Sequence, residues 1–408
     1  MTRTNNNRAA VLAALLLAAT AYLFLWTCVK PHVFAGSRAD FACFYRAGRM
    51  TLSGDGSRIY DFAAERQYDM TLGTVSADQA GHAVSLPFVF PPFTLAVFAP
   101  LSCLSYANAE RAWYAINVAV MLAIPFLLRK RFALSKTVLV VSLLAPAVFL
   151  PVVLALMQGQ PSILFLLWFT AAYMDLDGGH KARAGCWLAL ATFKPQLVLP
   201  MLLALLVLRE WRTLRSFAVA CAVLAGVSIL IAGWHTTLSY PHALVQFSSL
   251  PGSMGGEHPT SMPNLRGALY LVLHDRCSSP TLQSITWLLS IALLGLMLLA
   301  LRRQRQISLS GFALVLIVSL MTSYHAYLHE DCLLLLAAFL SLQAFAVRSA
   351  VMLRAGMAAM IAVAWLSPFL PGSLTATAVE LFGITAVWSG WCGYSACVRA
   401  KETLIEVK

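Results

Sequence analysis

Leu282-Gln283-Ser284-Ile285-Thr286-Trp287-Leu288-Leu289-Ser290-Ile291-Ala292-Leu293-Leu294-Gly295-Leu296-Met297-Leu298-Leu299-Ala300-Leu301 runs straight into Arg302-Arg303-Gln304-Arg305, and its reading decides the fold. No charge interrupts a run long enough, at about 1.5 Å per residue, to span a hydrocarbon core of about 30 Å. It stops at arginines, which favour the cytoplasmic side of a membrane. Ala9–Val29, Ala107–Leu128, Thr137–Met157 and Leu214–Ala232 are further long apolar runs, charged only at Glu110 and Arg111 near the start of the second and at Arg215 at the start of the fourth. The whole chain of 408 residues is 60% hydrophobic and only 11% charged, too apolar for a soluble domain of this length. Its apolar runs are continuous, whereas a transmembrane barrel alternates in strands of about ten residues. The sequence therefore predicts an all-α polytopic membrane protein, read as one integral membrane domain over residues 1–408.

Orientation follows from the charges. The net charge of +12 would suggest nucleic acid in a soluble protein, but here it collects between apolar runs, at Arg129-Lys130-Arg131, at Arg209, Arg212 and Arg215, and at Arg302-Arg303-Gln304-Arg305. Basic residues gather in short inside loops, so no nucleic-acid partner is expected. Arg3 and Arg8 before the first run resemble a signal sequence, but the run is long and no small-x-small site follows, which reads as an uncleaved first helix. The nine cysteines lack metal-ligand spacing and mostly lie within apolar runs. By parity the chain makes about twelve crossings, ending with Cys332–Val347, Val351–Leu366 and Thr375–Cys397. Two larger outer loops are expected, at 30–88 and 233–281. Thr94–Leu104 is too short to cross and reads as re-entrant or interfacial. Lys194-Pro195-Gln196 breaks the run 184–208 into a hairpin with Lys194 at its outer tip.

With the orientation fixed by inside charges, the remaining polar groups share the outer side: Asp40, Gln158-Gly159-Gln160, Lys194, Arg266, His325, His329, Glu330 and Asp331. An ionisable group costs about 2.5–3.5 kcal/mol near the centre of a membrane helix, so such groups face cavities or one another. Together they suggest a site for an anionic, hydroxyl-rich ligand. Each also has a plainer reading. Asp40 fits an N-cap for a helix starting at Phe41, Gln158-Gly159-Gln160 a polar turn, Lys194 a snorkelling side chain, and Arg266 a loop anchor. His325 and His329, four apart, share a helix face, and with Glu330 and Asp331 could bind metal. No third outer ligand is spaced to complete the set, so no divalent metal is expected.

The order Asp40-Phe41, Tyr60-Asp61, Phe90-Pro91-Pro92 with Pro100-Leu101, Trp113, Gly159-Gln160, Lys194-Pro195-Gln196 and a late His/Asp cluster resembles glycosyltransferase family 87. The likeness spans roughly residues 35–340. It implies a GT-C-like bundle and an enzyme, a hexosyltransferase moving mannose from a polyprenyl-phosphate donor to a lipid or glycan acceptor. It places the reaction on the outer, periplasmic face of a bacterial inner membrane and requires no cofactor. Asp40 matches the acidic residue of the first outer loop that serves as catalytic base in GT-C enzymes. Charge grows on a leaving phosphate, and the cations expected to meet it are Lys194 and Arg266, with His325 or His329. That leaves Tyr45, Gln160, Asn264, Glu330 and Asp331 as contacts to sugar or acceptor. Phe90 replaces the commoner tyrosine before Pro91-Pro92. A transporter or flippase for a lipid-linked or anionic solute would use similar polar groups, but the chain shows no internal repeat. An O-antigen ligase or polymerase would carry more arginines in its largest outer loop than Arg266 and Arg276.

Overall fold

The computed structural model describes residues 2–33, 40–74, 76–77, 83–250, 257–304 and 306–345. Helix α1 (Thr2–Phe24) passes through a π turn at Leu25–Val29 into α2 (Lys30–Val33). The polar segment that follows holds α3 (Phe41–Leu52), α4 (Phe62–Leu72) and the antiparallel strands β1 (Ser76–Ala77) and β2 (Ala83–Val84). Next come α5 (Leu95–Leu101), α6 (Tyr106–Phe132), α7 (Lys136–Val148), α8 (Leu150–Gln158), α9 (Ser162–Asp177) and α10 (Lys181–Leu190). The chain continues with α11 (Pro195–Val207), α12 (Trp211–Ala232), α13 (Trp234–Ser248), α14 (Leu265–Leu273), α15 (Ser279–Leu301), α16 (Leu309–Thr322) and α17 (Leu333–Phe345). Local chemistry sets many of these ends. The Ser135, Ser278 and Ser308 hydroxyls accept from backbone amides in the first turns of α7, α15 and α16, and Arg129, Lys130 and Arg131 sit in the last turn of α6, where the helix dipole favours cations.

Val11–Val29, Tyr106–Phe132, Trp211–Ala232 and Ser279–Leu301 are long and apolar enough to cross a membrane, and α7 with α8, bent by 58°, makes a fifth if the pair is one span. Helix length in the described residues thus supports four or five crossings, while the expected crossings at 351–366 and 375–397 lie outside those residues. Breaks divide the remaining apolar runs. Pro92–Leu101, Pro195–Val207 and Leu309–Thr322 are short apolar helices, and the first fits the expectation of a segment too short to span. The expected break at Lys194 is present: α10 ends in a 3-10 turn over Ala191–Phe193, Lys194 leaves helical geometry at φ −127°, ψ 87°, and Pro195 starts α11. Pro is tolerated there because the first turn of a helix has no partner for its missing N–H.

The chain divides into two compact units, one of residues 1–195 and 212–258, the other of residues 196–211 and 259 onward. In the first unit α9 is apolar all round and buried, with Ile163, Phe165, Phe169 and Ala172 each 0% exposed, as a core helix should be. On α12, by contrast, Val219, Val223 and Leu230 are exposed, the surface expected of a lipid-facing helix. Leu139 and Leu143 of α7 pack on Ala14 of α1. Helix α3 lies close on α5 because Gly48 has no side chain: a Cβ there would fall 2.2 Å from Ser102 Oγ. That hydroxyl instead donates to the Tyr45 carbonyl at 3.0 Å. In the second unit the middle of α16, from Gly311 to Met321, is buried throughout.

A buried ionic knot fastens the polar segment. Arg46 of α3, 1% exposed, pairs with Glu65 and Asp69 of α4. It also donates to Ser85 Oγ at 3.1 Å and to the Leu86 carbonyl at 2.6 Å. Glu65 accepts from the Phe88 amide at 3.2 Å, and Thr74 Oγ1 donates to Asp69 at 2.7 Å. One guanidinium thus faces two carboxyls away from water. Burial pushes the Glu65 carboxyl up to about 8, against the pull of Arg46. The folded value lies above the ordinary carboxyl value of 4.5, so the contribution of Glu65 is full below that lower value and is lost as pH rises through about 8. Thermal stability in detergent should fall over that window, and Glu65→Gln should flatten the fall. An unchanged slope in the variant would assign the pH dependence to other groups.

Candidate active site

Two aspartates stand at helix starts in the first unit, and they behave differently. Asp61 precedes α4 in extended geometry (φ −88°, ψ 97°), and its carboxylate accepts from the Ala63 and Ala64 amides, each at 3.1 Å. Asp40 precedes α3 in helical geometry (φ −63°, ψ −19°) and makes no side-chain capping bond. Its Oδ2 instead accepts from Nε2 of Gln160, which lies 120 residues away in sequence. The structure therefore brings together the carboxylate and the amide that sequence placed on the same side. It also separates Asp40 from the capping role that Asp61 performs.

A cluster of aromatic rings underlies the pair. Phe41, next to Asp40, is fully buried and lies 6.4 Å from Phe98 and 6.5 Å from Trp113, centre to centre. The Trp113 indole donates to the Gly159 carbonyl at 2.8 Å, immediately before Gln160. Phe98 lies 6.1 Å from Phe193, the residue before Lys194. Lys194 is 5% exposed, with Nζ 5.7 Å from the centre of the Phe90 ring, within reach of the quadrupole that attracts a cation to a ring face. Asp40, Gln160 and Lys194 thus each adjoin one buried aromatic core. Such a setting strengthens electrostatic interactions with whatever enters it. Tyr45 shares α3 but donates its hydroxyl to the Leu104 carbonyl at 2.9 Å.

The later candidates gather in the second unit. Asn264 caps α14, accepting from the Gly267 amide at 2.9 Å, and its amide group donates to the Ser323 carbonyl at 2.9 Å. Arg266 lies over Tyr324, its Cζ 3.7 Å from the ring centre, and donates to the Tyr324 carbonyl at 3.0 Å. His325 packs edge-on to Tyr327, and its carbonyl accepts from Gln196 at 3.3 Å. His329 meets Glu330 at 2.8 Å, while Glu330 also accepts from the Tyr327 amide at 2.7 Å. His329, Glu330 and Asp331 are all buried. Among the described residues no group of three or more His, Cys, Asp or Glu side chains has metal-binding geometry.

Sequence reasoning used Trp113 only as part of the family pattern and passed over Phe98 and Phe193, because apolar rings within apolar runs carry no contrast. It also passed over Arg46. There the signal was present: Glu65 and Asp69 stand four apart on one helix face, a like-charge pair that calls for a cation.

The fold and the site define a helical membrane protein that sets a carboxylate, an amide and an ammonium around one aromatic core. Residues 88–324, more than half of the 408-residue chain, match the glycosyltransferase family 87 model, and the chain belongs to that family. It is accordingly a membrane glycosyltransferase, acting on a sugar donor and an acceptor. Gln160, Lys194, Asn264 and Arg266 fall within the matched residues; Asp40 precedes them and His325, His329, Glu330 and Asp331 follow. No curated protein and no solved structure matches the chain.

Proposed function

We propose that the protein transfers a hexose, mannose, from a polyprenyl-phosphate donor to a lipid or glycan acceptor at the outer face of a bacterial inner membrane. Asp40 acts as general base. The observation that carries this reading is the Asp40 carboxylate, held by Gln160 at a helix start that it does not cap. A sugar hydroxyl is a weak nucleophile, and a positioned base contributes about 10²–10⁴-fold. Asp40 takes the acceptor proton as the hydroxyl oxygen bonds to the anomeric carbon. The bond from that carbon to the phosphate oxygen breaks, and the polyprenyl phosphate leaves as a dianion. Attack from the side opposite the leaving group inverts the anomeric centre, so a β-linked donor gives an α-glycoside.

Charge grows on the departing phosphate, and a cation in a water-poor setting meets it best. Lys194, an ammonium over an aromatic face, suits that role. In the second unit, Arg266, His325 and His329 are proposed as donor-phosphate contacts. Gln160, Glu330 and Asp331 are assigned to hydroxyl groups of sugar or acceptor. Tyr45 and Asn264 would have to exchange their present backbone bonds to contact a sugar. Because side-chain cations can neutralise the leaving phosphate, turnover is expected to survive chelation with EDTA. Loss on chelation with rescue by Mg²⁺ or Mn²⁺ would move Glu330 and Asp331 into a metal role.

The reading is tested by giving purified protein and a membrane lipid extract three labelled donors: polyprenyl-phosphate mannose, polyprenyl-pyrophosphate mannose and a nucleotide-linked mannose. Label should pass to acceptor from the monophosphate alone. Transfer from the pyrophosphate would favour a ligase-like enzyme, and transfer from the nucleotide sugar would remove the polyprenyl donor from the account.

A further inference from the structure

We propose that Trp113 is a positioning residue for the Asp40–Gln160 pair, acting through the carbonyl of Gly159. This rests on Asp40 being the base. Gly159 is held from two directions. Its carbonyl accepts from the indole of Trp113, a side chain only 1% exposed. Its Cα faces Phe41 so closely that a Cβ would fall 2.6 Å from the Phe41 Cβ, and its φ of +72° is one that L side chains rarely adopt. Phe41 follows Asp40 in sequence and stacks on Trp113 at 18° between ring planes. The peptide groups beside Asp40 and beside Gln160 are thereby locked to one indole.

What this lock holds is unusual for a structural contact. Gln160 is 7% exposed and donates Nε2 to Asp40, yet its buried Oε1 has no hydrogen-bond partner among the described residues. A buried polar atom left unsatisfied costs about 1–3 kcal/mol, so the amide is poorly placed as a device for stability. It is well placed to orient a carboxylate: turned over, Oε1 would confront Asp40 oxygen to oxygen. A buried tryptophan N–H also seeks an acceptor for its own sake, and that plainer role makes a different prediction. If Trp113 acts only on stability, its loss should leave turnover per folded molecule unchanged, and if it acts by a route other than Gln160, the two losses should multiply. If it acts through Gln160, the two losses should not multiply.

The test is a double-mutant cycle on full-length protein in nanodiscs, with polyprenyl-phosphate mannose and membrane lipid extract as probes. Turnover is measured at saturating donor and referred to the folded fraction. Trp113→Phe keeps the ring contacts with Phe41 and Phe98 but removes the N–H, and Gln160→Leu removes the donor to Asp40. Each is expected to lower turnover roughly tenfold, a misplacement effect, with the double variant within about twofold of Gln160→Leu. Multiplying losses, or Trp113→Phe at wild-type turnover, would overturn the proposal. Should Trp113→Phe fail to insert, site-specific benzothienylalanine at position 113, with sulfur in place of the N–H, carries the same cycle. Asp40→Asn is run alongside. If it alone keeps wild-type turnover, the base reading fails; if it is inactive while the cycle is multiplicative, only the positioning role fails.

Discussion

Asp40→Asn is expected to cut glycosyl-transfer turnover by ~10²-fold or more, because the amide cannot take the acceptor proton. The variant should still insert and still melt close to wild type. Asn is nearly isosteric, and Asp40 makes no capping bond to lose. Asp61 supplies an internal control, since its carboxylate caps α4 with two backbone bonds. Asp61→Ala should therefore cost about 1 kcal/mol of stability and spare turnover per folded molecule. Turnover by Asp40→Asn within about threefold of wild type, far short of the loss expected of a general base, would send the search for the base to Glu330 and Asp331.

Arg46→Met is expected to give the largest loss of stability of any single change in the first unit. The methionine fills much of the space but leaves Glu65 and Asp69 buried without their cation. Removing one partner of a buried ion pair costs about 3–5 kcal/mol, a large share of the roughly 5–15 kcal/mol that holds an ordinary domain folded. Thermal unfolding in detergent reads the effect directly. Replacing Glu65 and Asp69 with Gln and Asn in the same chain should recover part of it. A melting temperature within a degree or two of wild type would mean that the knot is hydrated and bears little of the load. The knot ties α3, and with it Asp40, to the segment 85–88. A weakened knot should therefore lower activity as well.

Much of the fold could be read in advance because membranes impose few solutions. Long uncharged runs demand helices, and inside arginines set their direction. Phe41–Leu52 was legible as a helix from its spacing, and the break at Lys194 from the proline that follows it. The number of crossings was less legible. Composition alone does not distinguish α12, whose apolar side chains face outward, from α9, whose equally apolar ones are enclosed by protein. In the site, the pairing of Asp40 with Gln160 was suggested only as a shared side of the membrane, because a contact across 120 residues leaves no local trace. Trp113 belonged to the family pattern but had no role there for another reason: a single N–H in an apolar run matters only once its acceptor, the Gly159 carbonyl, is known.

The central claim, that Asp40 receives the acceptor proton, is tested most directly by a structure of the full chain bound to a non-transferable polyprenyl-phosphonate mannose and an acceptor glycan. The account predicts the acceptor hydroxyl within about 2.6–3.2 Å of the Asp40 carboxylate. The anomeric carbon should lie beyond that hydroxyl, with the phosphonate on its far side. A donor whose anomeric carbon lies away from Asp40, with Glu330 or Asp331 at the acceptor hydroxyl instead, would contradict it.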